Sequence, residues 1–241
     1  MEERIANELE HAKKLTEGGA EVIWNWDSPT GRVRSDRRAE FLAKYSGANA
    51  NSLALEIGCG TGMFSGKFQK LTGAKIIATD IAEILLVQAR RKYNDIEFKV
   101  DDAMNLSFDA NKFDVVYGSS VLHHLDFNKS LAEIYRVLKP GGKMAFAEPN
   151  MINPQIFIQK NIPLIKKWLG DSPDETAINR WRFAKLLKEK GYKNVTIFPY
   201  DFLHPVVPSF LIPVVNGFGK VIEKIPLLKE IGGSVVISAE K

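Results

Sequence analysis

Leu53-Ala54-Leu55-Glu56-Ile57-Gly58-Cys59-Gly60-Thr61-Gly62 is an apolar run that ends in an acid and continues into three glycines at alternate positions. The residues that follow can form a helix. This pattern predicts a strand, a tight turn and then a helix. Glycine tolerates positive φ, and because it lacks a Cβ it lets a ligand approach the main chain. The turn is therefore predicted to bind a ligand.

The spacing of the glycines indicates the kind of ligand. A dinucleotide fingerprint reads GxGxxG, and its third glycine packs the helix against the strand while the helix N-terminus binds a pyrophosphate. Here Met63 occupies that third position, and the glycine comes one residue earlier, at Gly62. The spacing argues against NAD and favours a nucleoside ligand without a phosphate.

The same segment carries a family resemblance. Glu56-x-Gly58-x-Gly60-x-Gly62 resembles the first motif of class I S-adenosylmethionine-dependent methyltransferases, in particular the small-molecule enzymes of the ubiquinone/menaquinone type. The resemblance implies S-adenosylmethionine as cofactor, S-adenosylhomocysteine as product, and cofactor contacts at Glu56, Gly58, Cys59 and Gly60. In that family the acid helps hold the cofactor's amino group through the loop. The alternative is a strand-turn-helix corner without a ligand.

Asp80 is the second predicted cofactor residue. It ends the apolar segment Lys75–Asp80, which is typical of a buried parallel strand, and it lies 22 residues beyond Gly58. At this distance an acidic residue meets the ribose hydroxyls in strand-helix-strand units. A carboxylate that accepts from two free hydroxyls favours adenosine, and the adjacent Ile81 is predicted to contact the cofactor too. The alternative for Asp80 is a strand-end acid that faces solvent.

Two later positions extend the resemblance. Asp102 and Ala103 match the place where family members contact adenine, the acid accepting from the exocyclic amine. Asp101 departs from the small residue often found there, so which of the two acids faces the ring stays open. Ser119 follows the fourth predicted strand, and ligands in open parallel sheets gather at the carboxyl ends of strands. Ser119 is therefore predicted to border the cofactor.

The candidate catalytic residues are His123 and Glu148. An imidazole can accept a proton from a hydroxyl or an activated carbon as the methyl group arrives, so His123 is a candidate general base. Glu148 ends the fifth predicted strand and is a second base or a substrate anchor. Packing or capping roles are the alternatives for His123 and its neighbour His124. No third ligand stands at a spacing typical of a metal site, so no metal is predicted.

Length and composition set the organisation. The 241 residues, 45% of them hydrophobic, suit a single α/β domain over 1–241. The resemblance implies a Rossmann-like, seven-stranded mixed sheet with six parallel strands, an antiparallel last strand and helices on both faces. A net charge of +4 on scattered basic residues argues against a nucleic-acid partner. The acidic N-terminus without a signal-peptide pattern predicts a cytoplasmic protein.

Three segments outside the motifs are predicted to surround the substrate. Residues 1–50 resemble the N-terminal helical cap of small-molecule methyltransferases, in which Arg37 or Arg38 could pair with the cofactor carboxylate or lie on a solvated face. The apolar insertions 151–172 and 201–232 are predicted to form a substrate lid. For 201–232 the alternatives are a dimer surface or peripheral membrane contact, because prolines interrupt any transmembrane helix.

Two further details belong to these insertions. Tyr200 or His204 is predicted to face the cleft, and a capping signal at Ser172-Pro173 predicts that a helix starts there. The predicted function is methyl transfer to a small, apolar or lipid-linked metabolite by in-line displacement, in a monomer or homodimer. The alternatives are a non-catalytic S-adenosylmethionine-binding scaffold and, disfavoured by Met63, a nicotinamide oxidoreductase.

Overall fold

The computed structural model describes residues 2–168 and 175–241. These residues form one seven-stranded sheet with the order β3-β2-β1-β4-β5-β7-β6. β7 pairs antiparallel with β5 and β6, and the other pairs are parallel, which confirms the predicted fold class. The strands are β1 (Leu53–Ile57), β2 (Lys75–Asp80), β3 (Glu97–Val100), β4 (Phe113–Ser119), β5 (Leu138–Pro149), β6 (Lys193–Tyr200) and β7 (Ser234–Glu240).

Helices cover both faces of the sheet. α3, α4 and α5 pack on one face, through side chains such as Leu42, Phe68 and Leu86, while α6 and α9 pack on the other. The described helices are α1 (Glu2–Gly18), α2 (Ala20–Ile23), α3 (Pro29–Ser46), α4 (Met63–Thr72), α5 (Glu83–Lys92), α6 (Phe127–Val137), α7 (Pro154–Asn161), α8 (Pro163–Trp168), α9 (Arg180–Glu189) and α10 (Ile212–Ile222). Among the residues described, no helix is both long and apolar enough to cross a membrane.

The central strands are apolar on both sides because each face contacts a helical layer. On β1, Ala54 packs with one core cluster and Leu55 with the other, and Val115 and Val116 of β4 alternate in the same way. Successive side chains of a strand point to opposite faces, so an unbroken apolar run is buried completely. This explains why the first half of the quoted stretch could be recognised as a central strand.

The strand order creates a site at the carboxyl ends of β1 and β4. The chain proceeds from β1 to β2 and β3 on one side and then returns to β4 on the other. Ligands of open α/β sheets bind at such a reversal. Gly58, Gly60 and Gly62 lie there with φ of 65°, 53° and 78°. A Cβ on Gly58 would approach Val121 Cγ2 to 2.3 Å, so this turn requires glycine.

The helix predicted to start at Ser172-Pro173 differs from the structure. Those two residues lie outside the described part of the chain, and residues 175–179 are not helical. α9 begins at Arg180, where the Asn179 side chain accepts a hydrogen bond from the Arg182 amide. The physical reason is a strand-like bridge between Ile178 and Asn150, which keeps the chain extended up to the cap.

Candidate active site

A cavity of about 470 Å³ lies at the carboxyl ends of β1, β2 and β4. Nine of the eleven predicted site residues line it, although they come from five separate parts of the sequence. These nine are Gly58, Cys59, Gly60, Asp80, Ile81, Asp102, Ala103, Ser119 and His123. Glu56 and Glu148 are not among the lining residues, and both are fully buried behind the cavity wall.

Asp80 connects the glycine turn to β2. Its Oδ2 accepts a hydrogen bond from the Gly60 amide at 2.8 Å, and its Oδ1 accepts one from the Ala82 amide at 2.9 Å. The neighbouring Cys59 amide donates to the Thr79 carbonyl. The carboxylate is thus fixed at the cavity wall beside main chain that lacks side chains, as a group that binds ribose hydroxyls requires. Burial raises the pKa of the Cys59 thiol, so this cysteine stays protonated.

Glu56 is buried beneath the glycine turn and does not face the cavity. Its Oε2 accepts hydrogen bonds from the Ser65 hydroxyl on α4 and from the Tyr117 hydroxyl on β4. Burial raises the pKa of Glu56 to about 7, against an ordinary value of 4.5, although the two hydroxyl donors act in the opposite direction. The side chain links β1, β4 and α4, so any effect on a bound cofactor passes through the position of the loop.

The raised pKa of Glu56 leads to a stability prediction. Because the folded protein binds this proton more tightly than the unfolded chain, the stabilisation is complete below pH 4.5 and is lost as pH rises through about 7. Relative to Glu56→Gln, the wild type is expected to lose up to about 3 kcal/mol of unfolding free energy over that range. Urea unfolding of both proteins across this pH range, without cofactor, measures the difference. A constant difference would contradict the burial of a titrating Glu56.

The two acids after β3 have different partners. Both oxygens of Asp101 accept from the Ser107 amide, and Oδ2 also accepts from the Ser107 hydroxyl. Asp102 Oδ1 accepts from the Met104 amide. Asp101 therefore closes the turn through Ser107, and Asp102, next to Ala103 and Met104, is the better acceptor for an exocyclic amine.

The N-terminal segment covers the cavity and supplies lining residues that lie outside the sequence motifs. Trp24 lies over the glycine turn, since a Cβ on Gly60 would come within 3.0 Å of its ring. The Thr61 hydroxyl donates to Glu21 at 2.8 Å, which fixes the segment to the turn. The sequence signal for this segment is the aromatic, turn-rich stretch Trp24-Asn25-Trp26.

His123 and Glu148 form a buried pair. His123 Nδ1 lies 2.7 Å from Glu148 Oε2, and Glu148 Oε1 accepts from the amides of Val121 and Leu122, each at 3.0 Å. Burial lowers the pKa of His123 and favours the neutral ring. Burial would raise the pKa of Glu148, but the hydrogen bonds to His123 and the two amides hold it below its ordinary value. An ionised Glu148 requires the proton on Nδ1, which leaves Nε2 of His123 as an acceptor.

Near His123, polar groups from α1 and from the segment after β5 also line the cavity. His124 Nδ1 lies 3.2 Å from Glu8 Oε1, and Glu175 forms an ion pair with Lys160. Burial lowers the pKa of His124, but Glu8 and Glu175 outweigh it and raise the pKa. All four residues line the cavity. The polarity at this end depends on contacts between distant segments, which sequence spacing does not reveal.

Several predicted contacts lie elsewhere. Arg37 pairs with Glu223, and Arg38 is buried, where it donates to Ser119, Ser120 and Ser234. The prediction that either arginine faces the cofactor is wrong, because neither lines the cavity. Glu223 binds the Arg37 guanidinium, and serine hydroxyls of β4, β7 and the loop after β4 take up the donors of Arg38.

Tyr200 and His204 are also absent from the cavity lining. Tyr200 is buried against Phe41, and His204 is exposed beside Gln155. Of the described residues in the predicted lid segment 151–172, Lys160 lines the cavity. No residue of the second predicted lid segment, 201–232, lines it.

Comparison with known proteins agrees with this geometry. A model of the methyltransferase domain family matches residues 55–146. A demethylmenaquinone methyltransferase from Lactobacillus johnsonii is 32% identical over 184 residues, which cover 66% of this chain and 75% of that protein. An uncharacterised methyltransferase-like protein of Schizosaccharomyces pombe is 26% identical over 167 residues, 69% of this chain but 64% of its own length.

A solved structure shows the same fold. The SAM-dependent methyltransferase from Archaeoglobus fulgidus superposes with a TM-score of 0.61 at 19% identity, over 87% of this chain and 94% of that one. Fold, turn and relatives together define the class. The chain belongs to the class I S-adenosylmethionine-dependent methyltransferases, and its cofactor is S-adenosylmethionine. The glycine turn, Asp80 and Asp102 fit that cofactor, because they offer bare main chain and carboxylates and no phosphate-binding group.

Proposed function

We propose that this chain transfers a methyl group to a hydroxyl oxygen or an acidic carbon of a small, apolar or lipid-linked metabolite. The observation that supports this choice is the His123–Glu148 pair at the cavity wall, with Nε2 of His123 available as a base. Amine acceptors need no such base when they arrive unprotonated, whereas a hydroxyl must lose its proton.

S-adenosylmethionine supplies an electrophilic methyl group for in-line displacement and leaves as S-adenosylhomocysteine. The residues of the chain align and deprotonate the acceptor. Glu148 holds the Nδ1–H of His123, and Nε2 takes the acceptor proton as the new bond to the methyl carbon forms. Because alignment of two reactants supplies much of the acceleration in such reactions, the cap and the glycine turn contribute by fixing the reactants.

The roles of the cofactor-binding residues are part of the proposal. Gly58, Cys59 and Gly60 would approach the methionyl part, Asp80 the ribose, and Asp102 with Ile81 and Ala103 the adenine. Arg4 lines the cavity with a buried Nη2 that has no hydrogen-bond partner among the described residues, so it replaces Arg37 and Arg38 as the proposed partner of the cofactor carboxylate.

The acceptor class is supported from two sides. The relative from Lactobacillus johnsonii is named for demethylmenaquinone, an apolar acceptor. Ile5, Met104 and Leu125 add apolar surface to the cavity. We further propose that the protein is cytoplasmic and contacts a membrane peripherally through 201–232. The active form is proposed to be a monomer or a homodimer.

A methyl-transfer screen tests the function. Purified protein is incubated with methyl-labelled S-adenosylmethionine and with lipid, protein or RNA fractions, and labelled products are measured beside S-adenosylhomocysteine. Label is expected in the organic-solvent-soluble fraction and is expected to depend on His123. Label confined to protein or RNA would overturn the acceptor class. Cofactor binding without any S-adenosylhomocysteine would favour the non-catalytic alternative.

A further inference from the structure

The described surface carries large exposed apolar side chains that are concentrated after β5 and β6. On α8, Trp168 is 82% exposed, and in the β6–β7 segment Phe210 is 79% and Phe218 70% exposed. The same two segments expose Phe157, Ile158, Leu164, Val206, Val214, Val221, Leu227 and Leu228. Exposed patches of this kind mark sites of protein or membrane contact. We name the exposed face formed by residues 157–168 and 206–228 the apolar surface.

α10 turns its apolar side away from the protein. Ile212 is buried, and Gly219 packs so closely on Phe202 that an added Cβ would lie 3.0 Å from it. Val214, Phe218 and Val221 share the opposite face of α10, and Phe210, in the helical turn just before it, continues the spacing of four, four and three residues. A helix that packs through a glycine and exposes phenylalanines is expected where the exposed side has a partner.

The apolar surface is held firmly in place. Glu223, just after α10, pairs with Arg37 and accepts from the Asp201 amide, while Asp201 pairs with Arg34. Asn153, before α7, donates to the Ile231 carbonyl. Residues 206–228 are therefore fixed to α3, and residues that flank the two segments of the apolar surface contact each other.

Charge on this surface has one sign. The acids of 201–232 are Asp201, Glu223 and Glu230, and each is paired with an arginine from α3 or α9. Lys220 and Lys224 are exposed beside the phenylalanine face of α10, and they make no ion pair within the described residues. Apolar side chains flanked by lysines match the surface of an anionic bilayer. The apolar side chains can insert between the acyl chains, and the anionic headgroups attract the lysines.

The apolar surface also adjoins the cavity. α7 contributes Lys160 to the lining while Phe157 and Ile158 are exposed on the same helix. The Thr30 hydroxyl at the start of α3 donates to the Val207 carbonyl, and Trp26, close before it in the chain, lines the cavity. An acceptor that leaves a lipid layer next to this surface would thus reach the cavity over a short path.

We propose that the apolar surface docks the protein on an anionic membrane, with Phe210 and Phe218 inserted and Lys220 and Lys224 at the headgroups. This inference rests on the proposed function, because docking supplies a lipid-linked acceptor to the cavity. A second copy of the chain is the poorer occupant. It would offer the two lysines no free acid from this segment, because Asp201, Glu223 and Glu230 are each paired with an arginine.

Co-sedimentation with vesicles tests the proposal. The wild type is expected to bind vesicles of phosphatidylcholine mixed with phosphatidylglycerol, and to bind phosphatidylcholine alone far more weakly. Phe210→Ser combined with Phe218→Ser should weaken the binding at least about tenfold. Lys220→Gln and Lys224→Gln should each weaken it about fivefold. Leu71→Ser is the matched control, because Leu71 is 51% exposed at the end of α4, outside the apolar surface.

Other outcomes overturn the proposal in distinguishable ways. Equal binding to both vesicle types, or unchanged binding by the phenylalanine variant, would contradict docking through this surface. A dimer in light scattering that Phe218→Ser dissociates would assign the surface to a second copy. Calorimetry with S-adenosylhomocysteine is expected to give the same affinity for all variants. If cofactor binding persists while vesicle binding is absent, docking fails and the proposed methyl transfer stands.

Discussion

His123→Ala is expected to lower kcat about 10²- to 10⁴-fold for a hydroxyl acceptor, the range that a positioned general base contributes. Affinity for S-adenosylmethionine should change little, since the proposed function places the ring beside the acceptor and not among the cofactor contacts. Stopped assays of S-adenosylhomocysteine formation together with calorimetry separate these effects. His204→Ala is the matched control, because that ring is exposed beside Gln155 and is expected to leave kcat unchanged.

The pH dependence of the wild type tests the same assignment. Burial lowers the pKa of His123 below its ordinary 6.5, so the base is already neutral at pH 7. Activity should be level at neutral pH and should fall only when pH drops below that ordinary value. An acid limb centred well above 6.5 would contradict a buried, neutral His123 as the base.

Glu148→Gln separates positioning from proton transfer. The amide oxygen can still accept from Val121 and Leu122, but the amide nitrogen would then face His123 Nδ1 and donate to it. The ring would then carry its proton on Nε2, and it could no longer take the proton of the methyl acceptor. A large loss of kcat with little change in KM or in cofactor affinity is expected. If the fall in kcat is accompanied by a loss of folding stability, Glu148 has a merely structural role.

Asp80→Asn is expected to weaken binding of S-adenosylmethionine about a hundredfold, because a hydrogen bond to a charged group is worth roughly 1.5–3 kcal/mol and two ribose hydroxyls are involved. The amide keeps the size of the side chain but only one of the two acceptors for the Gly60 and Ala82 amides, so the melting temperature of the variant is measured beside its affinity. Calorimetry with S-adenosylhomocysteine measures the change. Asp114→Asn is the control, since that acid pairs with Lys139 at the opposite end of the sheet.

An affinity for the Asp80 variant within a few-fold of the wild type would contradict a ribose contact at this carboxylate. If the variant loses affinity while its melting temperature without ligand is unchanged, the loss belongs to the contact itself. A lower melting temperature would instead assign part of the effect to the bonds from Gly60 and Ala82.

The central part of the fold could be predicted because its signals are local. A strand buried on both faces has an unbroken apolar run, and the turn after β1 has positive φ at Gly58, Gly60 and Gly62. Both features can be recognised within a short stretch of sequence. Asp80 and Ser119 are the last residues of β2 and β4, and Asp102 comes two residues after β3. Parallel strands bring their carboxyl ends to one edge. The same reasoning brought His123 to that edge.

The remaining features depend on partners that are distant in sequence. Glu56 ends a strand like Asp80, but Ser65 and Tyr117 bind it below the turn. Arg38 looks like a surface arginine on a basic helix until β4 and β7 supply its hydroxyl partners. The start of α9 depends on a bridge to Asn150, which local capping signals do not include.

A crystal structure with S-adenosylhomocysteine tests the central claim most directly, because it requires no knowledge of the acceptor. Both ribose hydroxyls are expected to donate to Asp80, and the adenine amine to Asp102. The sulfur should lie over the glycine turn and face the side of the cavity that holds His123. Ribose bound away from Asp80, or a sulfur that points away from His123, would contradict the arrangement on which the proposed methyl transfer depends.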